Sequence, residues 1–116
     1  MICTECINVS IAGNTVEHNK EAGIKLFPHT NSTTVSNNLV SYNEKFGVYL
    51  RNNSTDNVVR NNTITGNEEG ITLAGPSINN VIANNTVIGN DVAVVADPSS
   101  QTNILRANRL NSAQPG

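Results

Sequence analysis

The chain has no tryptophan, one methionine and only four aromatic rings, two Tyr and two Phe, in 116 residues. In an ordinary globule that scarcity would imply a thin core. Charged residues are 14% of the chain and the net charge is −2, so bulk electrostatics give no attraction to nucleic acid. No apolar run approaches the length of a membrane span, and the N-terminus has no signal-peptide core. The length fits a single domain.

Asparagine is what the chain has in excess, with 21 residues. Each Asn cluster alternates with short runs of Val, Ile and Leu, which a disordered polar tract or a low-complexity segment does not do. The stretch Asn61 to Leu73, NNTITGNEEGITL, recurs in register along the chain. Its ladder Asn is Asn62, matched by Asn14, Asn38, Asn85 and Asn108 at steps of 24, 24, 23 and 23. A second Asn follows at Asn19, Asn43, Asn67 and Asn90. A Gly comes next at Gly23, Gly47 and Gly70, with Ala93 in the fourth copy.

A period this long is too short for a helix pair and too long for one hairpin strand, so each copy reads as one coil of a solenoid. Three short strands fit into it. The first carries Ile11, Val35, Val59, Ile82 and Leu105; the second carries Val16, Val40, Ile64, Val87 and Leu110. The third carries Ile24/Leu26, Val48/Leu50, Ile71/Leu73 and Val94/Ala96, spaced by two so that both members point inward. The expected architecture is all-β, a parallel β-helix of about five coils, with the repeat domain over residues 1–110 and a tail over 111–116. Equivalent positions then stack ~4.8 Å apart.

Asn suits such corners because it tolerates positive φ better than other side chains, and because stacked carboxamides can bond along the axis. The Gly column marks a second corner where a Cβ would crowd. Counting nine residues back from Ile11 places Ile2 inward, Cys6 in a small-residue column with Thr30, Ser54, Ser77 and Ser100, and Cys3 in a column with Phe27. That placement favours structural thiols in Cys3-Thr4-Glu5-Cys6 over a disulfide or redox pair. A metal half-site lacks partners, since His18 and His29 are not at finger spacing. The pattern starts inside one strand and fades after Leu110, with no amphipathic helix to cover either end. Uncovered coil ends lead us to expect either a segment of something longer or a homo-oligomer formed through those ends.

Repeats of the form NxxIxxNxIxxNxxGIxL resemble right-handed parallel β-helix proteins of the pectin-lyase type. The nearest flavour is the NosD-like and carbohydrate-binding/sugar-hydrolase repeats also found in mannuronan C5-epimerases. The likeness spans about residues 2 to 110. It implies a right-handed helix, an extracellular or periplasmic setting and polysaccharide as the partner class. Uronate epimerases of this fold carry Tyr-Gly-x-Asp-Pro-His. Here Gly23-Ile24-Lys25-Leu26-Phe27-Pro28-His29 keeps only the Pro-His end, and Phe27 stands where the carboxylate belongs, so general acid–base work is not supplied. Asp97-Pro98-Ser99 fills the same turn three coils later, which makes Pro here turn chemistry. No catalytic residue is assigned.

Two surface features remain. The outward face of the third strand and its turn gathers Lys25, His29, Tyr49, Arg51 and Thr72, a ring with neighbouring cations able to hold an acidic sugar. Glu21, Glu44, Glu68, Glu69 and Asp91 form a ridge that could recruit Ca²⁺, although Lys20 and Lys45 lie among them and no calcium-loop motif is present. No cofactor or metal is otherwise expected. The leading expectation is a non-catalytic β-helix module, structural or interacting, that contacts polysaccharide along the third-strand face. The alternative is a fragment or subunit of a lyase, hydrolase or C5-epimerase whose catalytic groups lie elsewhere.

Overall fold

A computed structural model describes residues 1–112. Its strands form three five-stranded parallel sheets. The first-strand sheet stacks Ser10–Ala12, Thr34–Ser36, Val58–Arg60, Val81–Ala83 and Ile104–Arg106. The second-strand sheet stacks Thr15–Glu17, Leu39–Ser41, Thr63–Thr65, Thr86–Asn90 and Arg109–Ser112. The third-strand sheet stacks Ile2–Cys3, Ala22–Leu26, Phe46–Arg51, Glu69–Ala74 and Val92–Ala96. Every strand pairs with its counterpart one coil away, never with its neighbour in sequence.

Register follows the repeat. Ile11, Val35, Val59, Ile82 and Leu105 are paired in one file, and Val16, Val40, Ile64, Val87 and Leu110 in another. In a three-residue strand only the middle side chain points inward, so one β-branched or Leu residue per strand is enough. Val35, Val40, Ile64, Ile71, Leu73 and Ile82 have no exposed surface. Each contributes about 1.5–3 kcal/mol by leaving water, which is how so few aromatic rings suffice. The last strand runs to Ser112, two residues past the end expected for the repeat, and the rest of the expected tail lies outside the described residues.

Asparagine forms three ladders. Asn14, Asn38, Asn62, Asn85 and Asn108 make one file; from Asn38 on, each Oδ1 accepts both the backbone N–H and the Nδ2–H of the Asn one coil earlier, at 2.9–3.1 Å. Asn19, Asn43, Asn67 and Asn90 make the second. The third, Asn57, Asn80 and Asn103, begins from the backbone N–H of Thr33. Carboxamides also reach back to main-chain carbonyls of the preceding coil, as Asn62 Nδ2 does with Val35 O at 3.0 Å. No buried side-chain N or O among the described residues lacks a partner, the condition under which a polar interior is stable.

Positive φ falls one residue earlier than the ladder. Gly13, Asn37, Asn61, Asn84 and Ala107 precede the first ladder at φ 71°, 55°, 55°, 56° and 55°, and no ladder Asn is itself left-handed. In Asn37-Asn38, Asn61-Asn62, Asn79-Asn80 and Asn84-Asn85 the first residue makes the turn and the second bonds along the axis, whereas Asn52 and Asn53 are both left-handed and stand outside the ladders. Ala107 is the poor fit, since left-handed backbone costs a residue with a Cβ about 1–2 kcal/mol. Ala107→Gly removes that strain and loses about 0.5–1 kcal/mol through greater freedom when unfolded. A net gain of up to about 1 kcal/mol is expected in urea melts; a lower midpoint would contradict the assignment.

The first coil corrects two expectations. Cys3, not Ile2, is inward: Cys3 pairs with Leu26 and is 7% exposed, whereas Ile2 pairs with Lys25 and is 65% exposed. Cys6 does stack on Thr30, whose Oγ1 accepts the Cys6 N–H at 3.2 Å. The turn between is therefore one residue shorter than in later coils, and the count of nine fails there. The shortened turn also brings the cysteines together, and they form a disulfide with Cα atoms 5.7 Å apart instead of standing as separate thiols.

Candidate functional site

The third-strand face is less open than its sequence implies. Lys25 and Tyr49 are registered neighbours. Lys25, however, is ion-paired with Glu21, and its Nζ lies 4.9 Å from the centre of the Phe27 ring. The bond to Lys25 holds the Glu21 carboxyl below its usual range. Tyr49 is only 8% exposed, because Phe46 stacks on it at 4.1 Å between ring centres and 26° between planes. Thr72 is buried and donates its hydroxyl to Glu69 Oε1 at 2.7 Å. Arg51 and His29 are exposed, Arg51 at the strand end and His29 at φ 51° in the following turn.

Phe46 is the residue that sequence reasoning missed. Strict alternation from Tyr49 sends position 46 inward, yet the ring lies outside on Tyr49. Gly47 and Val48 are both buried, so the strand bends at Gly47 and the outward positions become three apart. The signal was available, since a Phe immediately before a corner Gly is unusual among Ala22, Glu69 and Val92, its registered partners.

The acidic ridge is not continuous. Lys45 and Phe46 donate backbone N–H groups to Glu21 O, and Glu69 donates its own to Lys45 O, which seats Lys45 between Glu21 and Glu68 along the axis. Glu21 and Glu69 are already occupied by Lys25 and Thr72. Among the described residues no group of three or more His, Cys, Asp or Glu is arranged to hold a metal ion. Asp97 is committed to its own turn. Its carboxylate accepts from Ser99 Oγ at 2.6 Å, Ser99 N at 3.0 Å and Gly75 N at 3.1 Å. The Ser99 hydroxyl, then the Gly75 amide, hold its pKa low, which suits an ionised turn acceptor and not a general acid. No enclosed pocket exists among the described residues.

Strands stacked coil upon coil in three parallel sheets, with side-chain ladders at the corners, define a parallel β-solenoid. The family described as right handed beta helix region matches residues 2–110, and the chain belongs to it. That membership agrees with the pectin-lyase-type resemblance of the repeats. No curated protein and no solved structure matches the chain. Among the described residues no helix is long and apolar enough to cross a membrane.

Proposed function

We propose that the chain is a non-catalytic repeat module that holds a polysaccharide against its third-strand face. One observation carries the reading: of four aromatic side chains, three, Phe27, Phe46 and Tyr49, gather on this face beside Lys25 and Arg51. Sugar rings present apolar faces that pack on aromatic rings, and an exposed guanidinium can bond their hydroxyl or carboxylate oxygens. An open, flat surface suits a polymer crossing several coils better than a small molecule, which needs a concave site. Lys25 is already paired, so stacking on Phe46 and Phe27 supplies most of the attraction, with Arg51 and His29 at the rim.

Affinity electrophoresis through a panel of neutral and acidic polysaccharides tests it. At least one polymer should retard the chain without being cleaved, and Phe46→Ala should weaken that retardation about tenfold, the equivalent of ~1.4 kcal/mol for one stacked ring. No retardation by any polymer would end the proposal. Release of unsaturated uronides would replace it with the alternative, a piece of a polysaccharide-cleaving enzyme.

A further inference from the structure

The ladders have a direction. In every coil the backbone N–H and Nδ2–H of a ladder Asn point toward the next coil, and its Oδ1 points back. At the N-terminal edge Asn14 Oδ1 accepts nothing, and at the C-terminal edge the Asn108 backbone N–H donates to nothing among the described residues. Among the described residues the outermost strands there, Ser10–Ala12 and Thr15–Glu17 on one side, Ile104–Arg106 and Arg109–Ser112 on the other, each have one unpaired edge. Apolar surface accompanies both: Ile104, Leu105 and Leu110 are 55%, 43% and 45% exposed, and Ile2, Ile7 and Val9 are 65%, 62% and 37% exposed.

We propose that these two edges bind each other, so that the partner of this surface is a second copy of the chain, added head to tail. Leu105, Asn108 and Leu110 are spaced as Ile11, Asn14 and Val16 are. One docking therefore continues both apolar files and the first ladder together. Asn108 of one copy donates to Asn14 Oδ1 of the next, as each ladder Asn does within the chain. Exposed Arg109 then lies diagonal to exposed Glu17 of the next copy. Head-to-head docking is disfavoured, because it faces acceptor against acceptor and like strand edges against each other. The contact is heterologous, and with no rotation to close a ring it builds open rods of variable length.

Sedimentation velocity of the 116-residue chain across concentrations reads this directly, with no glycan present, so its outcome is separate from that of the third-strand face. The expected result is a mass that rises continuously with concentration and has no fixed ceiling. Leu105→Lys with Leu110→Lys blocks one edge and leaves the other intact. It should stay monomeric and, added below stoichiometry, shorten wild-type rods. Asn108→Asp keeps the Oδ1 bonds to Asn85, gives up the Nδ2 bond to Ile82 O and sets a carboxylate against Asn14 Oδ1, and in a variant that still melts cooperatively should weaken association at least tenfold. A wild type that stays monomeric, a mass that stops at dimer, or a doubly substituted chain that assembles like wild type would overturn the proposal.

Discussion

Asn62→Ala is expected to lower stability by about 3–4 kcal/mol, read as a urea midpoint at unchanged slope. The Asn62 side chain makes four bonds. It accepts from Asn38 N and Asn38 Nδ2, and donates to Val35 O and Asn85 Oδ1, all at 3.0 Å. Alanine leaves two donors, the Asn38 backbone N–H and one Asn38 Nδ2–H, unpaired in a site where Asn38 is 2% and Asn62 is 1% exposed. A stranded buried group costs about 1–3 kcal/mol, and a water entering the gap would recover part of that. Positive φ adds nothing, because the left-handed residue is Asn61. Asn14 supplies the control. Its Oδ1 accepts no bond, and Asn14→Ala leaves Asn38 Oδ1 with the Asn14 backbone N–H. That change removes two Nδ2 bonds, to Ala12 O and Asn38 Oδ1, but strands no buried donor, and should cost only about 1 kcal/mol. Equal losses at the two positions would mean that axial carboxamide bonding is not what stabilises the stack.

The coil was legible because parallel stacking makes every coil solve the same problem at the same place. Wherever Val40 needs an inward apolar group, Ile64 and Val87 need one too, and the period survives conservative exchange. The ladder positions were legible for the same reason. What failed was local. Asn-Asn pairs hide a division of labour, since Asn61 and Asn62 are the same residue type doing different work. The third ladder at Asn57, Asn80 and Asn103 repeats at the same step, but Thr33 opens it and the surrounding excess of Asn conceals it. Cys3 was misplaced because one deleted turn residue shifts every count across it. For the candidate face, stacking brought Lys25 beside Tyr49 as expected. Whether those groups stay available was decided by Glu21 and Phe46, two side chains whose direction depends on the bend at the corner Gly. Alternation does not carry through a corner, so outward contacts beside one are the least predictable part of such a chain.

That corner supplies the second large effect. Gly47→Ala is expected to destabilise by about 2–3 kcal/mol, although Gly47 does not have positive φ and Ala would otherwise restrict the unfolded chain favourably by about 0.5–1 kcal/mol. An added Cβ would lie 2.6 Å from Gly70 O, 2.6 Å from Ile64 Cγ2 and 3.0 Å from Asn67 Nδ2. The first is backbone held in the sheet, so relief requires parting two coils, and the third is a ladder donor. Overpacking of this kind costs about 1–3 kcal/mol before the ladder is disturbed. Gly13 isolates the opposite case: φ is +71° and nothing stands within 4 Å of its missing Cβ. Gly13→Ala should cost only about 1 kcal/mol, the left-handed strain alone. Thermal melts of the two variants therefore separate the glycine that gives the chain a turn from the glycine that lets one coil rest on the next. A Gly13→Ala loss as large as that of Gly47→Ala would place the constraint in backbone conformation instead of in the distance between coils.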